Sequence, residues 1–257
     1  MVSVDMKIVY HRKFEESTYA DDNASLPGRM EAAMSLVDPR RWPIVEPDSA
    51  TRGQISLAHS DAYIDKVASD PGLFSMAAVA AGAAIKAAEI GYGGEAAFAC
   101  LRPPGHHASR DGAWGYCIFN NLCIAILSLA RTRNIAGALI IDIDQHTGDG
   151  TRNILSEREG VTIFNPFADS AEAYLALMAE RLGAIGEASI LAVSAGFDAY
   201  RLDVGHKLAT RDFFRIAELL RDTSLRVCQG RRFAVLEGGY YLPDLGANVH
   251  AFCEGFE

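Results

Sequence analysis

The chain predicts an α/β protein built on a mostly parallel, doubly wound sheet, and three observations carry that prediction. Short apolar runs alternate with longer helical segments along the whole sequence. One of them, Ala138 to Ile141 followed by Ile143, is apolar on both faces, as a central parallel strand must be. No repeat, low-complexity tract or linker breaks the alternation, and 257 residues with 49% hydrophobic content supply one core for a single domain spanning 1–257.

Taken in order, Lys7 to Tyr10 reads as a first strand. Ser25-Leu-Pro-Gly-Arg29 opens a helix running to about Val37, and Pro39 and Pro43 mark a connector. Ile55 to Val67 reads as a helical turn, a break at His59-Ser60 and a helix capped by Ser60, which gives His59 a structural role rather than that of a ligand. Asp70-Pro71-Gly72 reads as a turn. Ser75 to Ile90 has small residues all round, as expected of a helix pressed closely against a sheet or another helix, and Gly91 to Gly94 ends it. Ala96 to Leu101 is a buried strand, Asn120 to Arg131 a helix, Ala138 to Ile143 the central strand and Thr151 to Glu157 a helix. Val161 to Phe164 and Ser189 to Val193 follow as strands on either side of a helix from Ser170 to Leu182. Arg211 to Val227 is an amphipathic helix, and Phe233 to Leu236 is the last strand.

The formal charge of −9 argues against a nucleic-acid groove, which needs a basic face, and is compatible with a cationic substrate. Cys100, Cys117, Cys123, Cys228 and Cys253 form no C-x-x-C pair and are odd in number, which points to reduced thiols serving as small core residues in a cytoplasmic protein. Asp5 and Lys7 stand where a signal peptide needs an apolar run. The longest apolar tract, Met76 to Ile85, is shorter than the roughly 18 to 20 residues that span a bilayer, so no membrane association is expected.

Chemistry concentrates just beyond the predicted strands. The central strand runs into Asp142, Asp144 and His146, which an extended backbone would place in one row at intervals of roughly 6.6 Å, where one divalent cation could bridge Asp144 and His146. Capping of the next helix by Asp142 and Asp149 is the plainer alternative, but three acids and a histidine within eight positions exceed what capping needs. Arg102-Pro-Pro-Gly-His106-His107 presents adjacent imidazoles on a stiffened loop, and Trp114-Gly-Tyr-Cys117 is suited either to walling a pocket or to packing. Asp198 follows another strand, and Glu237-Gly-Gly-Tyr240-Tyr241 lets the backbone approach something closely while projecting a phenol. Ligands gather at such carboxyl ends in open α/β sheets.

The motifs RPPGHHA, WGYCIFNN, DIDQHTGDGT, SAGFD and EGGYY, in that order, resemble the histone deacetylase and acetylpolyamine amidohydrolase family, in a short, class II-like form, from about Tyr10 onward. The resemblance implies a three-layer arginase/deacetylase-like fold and a zinc-dependent amidohydrolase removing acetyl or other short acyl groups from acetyl-lysine or acetylpolyamine. Iron(II) or another divalent metal is the alternative to zinc. By the resemblance, Asp144, His146 and Asp198 are the metal ligands and His107 the general base and later acid, with Asp149 as its partner. His106 is oriented by Asp142, Tyr240 hydrogen-bonds the developing oxyanion, and Tyr241 packs. Gly115 and Tyr116 are the backbone acceptor and aromatic wall of the substrate channel, and Arg29 matches an arginine near the acetate exit. No nucleic-acid or membrane partner is implied, and a homo-oligomer is compatible.

The sequence also departs from the family pattern. Thr147 replaces a second histidine, and Gln145 occupies the variable position before the histidine ligand. Ile163 stands in place of a serine that helps to hold a structural potassium ion, which puts that ion in doubt near Asp142 and Asp144. Asn165-Pro-Phe167 enters a helix where the family has a long loop with a second channel aromatic, so the channel is expected to have one wall, at Tyr116, unless Phe167 or a neighbouring subunit closes it. Two other functions are weighed: a non-catalytic acyl-lysine or polyamine binding protein, and a binuclear manganese amidinohydrolase, for which Asp198 and Asp203 lack the paired spacing.

Overall fold

In the computed structural model, which describes residues 6–257, the first strand β1 (Met6–Val9) lies beside β2 (Ile44–Val45) and β3 (Ala96–Ala99). Asp5 lies outside the described residues. The remaining strands are β4 (Ala138–Asp142), β5 (Val161–Phe164), β6 (Leu191–Ala195) and β7 (Arg232–Leu236), giving one seven-stranded sheet in the order β2-β1-β3-β7-β6-β4-β5. Every neighbouring pair is parallel. The central strands β3, β4, β6 and β7 are buried along their whole length, which is why they read as continuous apolar runs.

The helices form two groups about the sheet. After α1 (Arg29–Met34), α2 (Arg52–Ile55) and α3 (Asp61–Ala68), the long helix α4 (Pro71–Tyr92) packs on β1, β3 and β7 and against α3 and α5 (Asn121–Arg133), while α2 packs on α5. After α6 (Asp149–Leu155) come α7 (Ala171–Gly183), α8 (Thr210–Val227) and α9 (Leu242–Phe256), and α7, α8, α9 and α1 pack in succession. Phe252 of α9 meets Phe98 of β3 at 5.9 Å between ring centroids, joining this second group to the sheet.

Several elements differ from expectation. Asp70-Pro71-Gly72 is the start of α4 rather than a free turn: Asp70 accepts from the N–H groups of Gly72 and Leu73, both at 3.0 Å, and Pro71 occupies the first turn. The resulting helix of 22 residues is long and apolar enough to cross a bilayer, which corrects the expectation drawn from Met76 to Ile85, and 67% of its most apolar window is buried inside the molecule. The helix expected from Ser25 is confined to Arg29–Met34, because Pro27-Gly28 turns the chain with Gly28 at φ 81°. Ile44–Val45, within the expected connector, pairs as an edge strand, and β6 is displaced two residues toward Asp198 from its expected end at Val193. Helix α9 was not anticipated. Its glycines lower local propensity but permit close crossings: a Cβ on Gly246 would come within 2.5 Å of the Ala32 carbonyl oxygen, and one on Gly255 within 2.4 Å of the Phe214 carbonyl oxygen.

Candidate active site

Strand register sets the stage. Ala99 of β3 pairs with Val235 of β7, Val235 with Ser194 of β6, and Ser194 with Asp142 of β4. These strands therefore end at one level, and the loops beyond them bring His106 and His107, Tyr240, Asp198, and Asp144 with His146 to a common region.

The extended row expected for Asp142, Asp144 and His146 stops at Asp142, where β4 ends, and residues 144 to 146 form a bend. The bend brings His146 over Asp144. The His146 N–H donates to Asp144 Oδ1 at 2.9 Å, and its Nδ1 lies 3.0 Å from that oxygen and 3.0 Å from Asp198 Oδ2. One ligand-type atom from each of Asp144, His146 and Asp198 lies within 4.8 Å of the others. Asp198 Oδ1 accepts from the Gln145 N–H at 2.9 Å, whereas Oδ2, despite its nearness to His146, has no aligned hydrogen-bond donor. Glycines make room for the carboxylates: a Cβ on Gly196 would lie 2.2 Å from Asp144 Oδ2, and one on Gly238 would lie 2.6 Å from the same atom and 2.8 Å from Asp198 Cγ.

Burial and then the adjacent Asp144 carboxylate push Asp198 up to about 6, against the pull of His146. Burial also opposes the charge on Asp144, but His106 and His146 hold it well below the carboxylate range. Hydrogen bonds to Asp144 and Asp198 raise His146 to about 10.

Two histidine–carboxylate pairs stand alongside. His106 Nδ1 is 3.0 Å from Asp142 Oδ2, and His107 Nδ1 is 2.7 Å from Asp149 Oδ1. The ring centroids of the two histidines are 4.0 Å apart. Burial disfavours charge on His106, but Asp144 and Asp142 outweigh it and raise that imidazole well above its ordinary value. Burial, then repulsion from His106, lowers His107 to about 4 in spite of Asp149. The two imidazoles are thus pushed in opposite directions, His106 toward the charged form and His107 toward the neutral one.

Tyr240 and Tyr116 meet edge to face at 5.5 Å on a cavity of about 260 Å³ that is also lined by His106, His107 and His146. Gly115, at φ 63°, leads into Tyr116, where a Cβ would sit 3.3 Å from the His107 ring. Tyr241 lies outside the lining and faces Tyr200 at 6.2 Å. Arg29 is buried: its Nε donates to the Gly239 carbonyl at 2.9 Å, its Nη2 to the Glu237 carbonyl at 2.6 Å, and its guanidinium lies 5.3 Å from the centre of the Tyr240 ring.

The cavity has a second aromatic, and it comes from the Trp114–Cys117 loop, for which the sequence leaves walling a pocket and packing both open. Trp114 lines the cavity with its ring centroid 3.8 Å from that of His107, and its Nε1 donates to Asp149 Oδ2 at 2.8 Å. Phe167 does not line it; that ring is 70% exposed and lies under Lys207. No residue of the short segment after Phe164 lines the cavity, and the second aromatic belongs to the same loop as Tyr116. Sequence reasoning also gave no role to Glu237, although the motif around it was noted. Its Oε2 accepts from the N–H groups of Gly105 and His106, at 2.7 and 3.1 Å, so the acid after β7 braces the histidine loop after β3. Asp203, weighed above for a second metal, is used otherwise: both its oxygens accept from backbone N–H groups.

The architecture is that of the arginase/deacetylase fold. The crystal structure of the HDA15 HD domain matches it with a TM-score of 0.83, covering 99% of this chain and 90% of its own, at 22% sequence identity. The chain belongs to the histone deacetylase family, whose domain profile matches residues 24–176. A probable deacetylase of Methanothermobacter thermautotrophicus is 30% identical across 83% of this chain and 78% of its own length. Histone deacetylase 10, chloroplastic, of Oryza sativa subsp. japonica is 28% identical across 78% of this chain, and the acetylpolyamine amidohydrolase of Mycoplana ramosa is 28% identical across 74%. The matched region spans 59% of the rice protein and 65% of the Mycoplana enzyme.

Proposed function

We propose that this protein is a zinc-dependent deacetylase that hydrolyses the amide of small acylated amines, acetyl-lysine or acetylpolyamine among them. The observation that carries this reading is a single cavity lined by His107, His146 and the Tyr240 phenol, with Asp144 and Asp198 completing the cluster behind His146 and Asp149 paired to His107. Two carboxylates and one imidazole suit a zinc ion with coordination positions left open. The carboxylates of the cluster suit it too: a cation would offset the burial and the Asp144 repulsion that raise Asp198, would take the place of a proton on His146, and would engage the Asp198 oxygen that lacks a donor. When bound, zinc supplies a Lewis acid that polarises an amide carbonyl and brings a water toward ionisation at neutral pH.

The chain's own groups supply the rest of the chemistry. His107, neutral at pH 7 and tied to Asp149, takes a proton from the attacking water and delivers one to the departing amine. His106, held by Asp142, contributes mainly through its charge. Burial keeps the Tyr240 phenol protonated, so it remains a donor for the oxygen on which negative charge develops. Tyr116 and Trp114 flank the substrate's methylene chain, each buried methylene contributing roughly 0.8 kcal/mol.

Release of acetate from an acetyl-lysine peptide and from an acetylated polyamine by the zinc-loaded protein tests this reading. Turnover of either substrate, abolished by chelation and restored by zinc, is expected. Stoichiometric binding of both without turnover would instead make the protein a non-catalytic acyl-amine binder.

A further inference from the structure

We propose that Asp203 is a positioning residue for Tyr240, holding the phenol at a set distance from the Asp198 end of the cluster. This rests on the deacetylase reading and adds to it a residue outside the catalytic cavity. Asp203 Oδ2 accepts from the N–H groups of both Tyr240 and Tyr241, at 2.5 and 2.7 Å, and Oδ1 accepts from the Val204 N–H at 2.8 Å. The side chain is only 7% exposed.

The turn it grips needs such a hold. Gly238 and Gly239 give the backbone before Tyr240 wide conformational freedom, and Gly239 sits at φ 122°. From the other side, Arg29 takes the Glu237 and Gly239 carbonyls. The N–H groups of the turn are thus held by an anion and its carbonyls by a cation, both through charge-assisted hydrogen bonds, which are roughly twice as strong as neutral ones. An oxyanion donor is effective only within a few tenths of an ångström of its place, so a turn free to swing would forfeit most of the phenol's contribution.

The element that carries Asp203 is itself stiff and begins at Asp198. Gly205 N–H donates to the Asp198 carbonyl at 2.8 Å, Lys207 and Leu208 N–H groups to the Ala199 carbonyl at 3.1 and 2.8 Å, and Arg201 N–H to the Leu208 carbonyl at 2.7 Å. A Cβ on Gly205 would lie 2.6 Å from Ala199 Cα, so the loop closes tightly on its own start. Phe197 N–H also donates to the Gly238 carbonyl at 2.9 Å. Asp198 and Tyr240 are therefore linked through a closed loop as well as through Gly238, which packs against both carboxylates and donates its N–H to Asp144 Oδ2 at 2.9 Å.

A double-variant cycle tests this, using zinc-loaded parent, Asp203→Asn, Tyr240→Phe and the combination, with metal content and Tm measured for each. Tyr240→Phe should lower kcat by about 10² to 10³, the usual loss for one oxyanion donor. Asp203→Asn should lower kcat by about 10- to 30-fold, leave KM within about threefold and leave zinc content unchanged, because the phenol is displaced while binding and metal remain. In the Tyr240→Phe background the same change should alter kcat by less than about twofold, since it acts through a hydroxyl no longer present. Asp203→Glu, which keeps the charge on a longer arm, should show the same dependence on Tyr240 and serves if the asparagine variant does not fold. An active parent whose losses multiply in the combination, or a folded Asp203→Asn with parental kcat, overturns the positioning role alone. A zinc-loaded parent that turns over neither substrate overturns the deacetylase reading, and this proposal with it.

Discussion

The ring of His59 donates from Nδ1 to the Ser109 carbonyl at 2.9 Å and accepts at Nε2 from the Asn120 N–H at 2.9 Å, a pair of roles open only to the neutral imidazole. Burial accordingly lowers it to about 4. The unfolded chain takes up this proton near 6.5 and the folded chain only near 4, so the stability is fully present above pH 6.5 and declines as pH falls from 6.5 to 4. The ceiling on that decline is roughly 3 kcal/mol. Urea unfolding at pH 7 and pH 4.5 should show a smaller acid loss for His59→Gln than for the parent; equal losses would place the sensitivity elsewhere. Trp114 offers a second test at this scale. Trp114→Ala removes both the stack on His107 and the bond to Asp149, and should lower kcat/KM about tenfold or more, whereas Phe167→Ala should stay within about twofold. The reverse ranking would put the second channel wall at Phe167.

Among the elements, α4 shows how packing can overrule helix propensity. In an isolated helix Gly82→Ala would be favourable by about 1 kcal/mol. Here a Cβ at Gly82 would lie 1.9 Å from the Asp48 carbonyl oxygen and 2.9 Å from the Ala50 nitrogen, backbone atoms that cannot rotate aside. The Ala50 N–H also donates to the Ala78 carbonyl of α4 at 2.8 Å, tying that segment to the helix. Gly82→Ala should therefore destabilise the protein by about 2 kcal/mol or more, measured by urea unfolding, because the overpacking cost exceeds the propensity gain. A stabilised variant would show that the segment can move away at little cost.

For the whole molecule, zinc held as proposed at the strand ends would couple metal binding to folding, since Asp144 and His146 come from one loop and Asp198 from another, distant in sequence. Zinc at a hundredfold excess over its Kd should raise the unfolding free energy by about 2.7 kcal/mol relative to chelated protein. Asp198→Ala should lose most of that increment while remaining folded, and an undiminished increment would remove Asp198 from the ligand set. This readout needs no substrate and is independent of turnover.

Local pattern was sufficient for the class of fold, because fully buried parallel strands must be apolar on both faces and helices must alternate with them. It also singled out candidate site residues that the structure brings together, because histidines and acids just beyond apolar strands have few structural reasons to be there. What only the tertiary structure decided was how those residues meet. The bend at Asp144 to His146 replaces the straight row that alternation predicts, and Trp114 is the second aromatic of the cavity because its ring lies on His107 and its indole N–H reaches Asp149. Glu237 and Asp203 act on backbone N–H groups 131 and 37 residues away in sequence, at His106 and Tyr240. No local periodicity encodes such a bond, since a carboxylate bound for a distant amide has the same composition and spacing as one bound for solvent. Helix α9 was hidden for the same reason: its glycines weaken the helical signal in sequence, and only the crossings with α1 and α8 make them favourable.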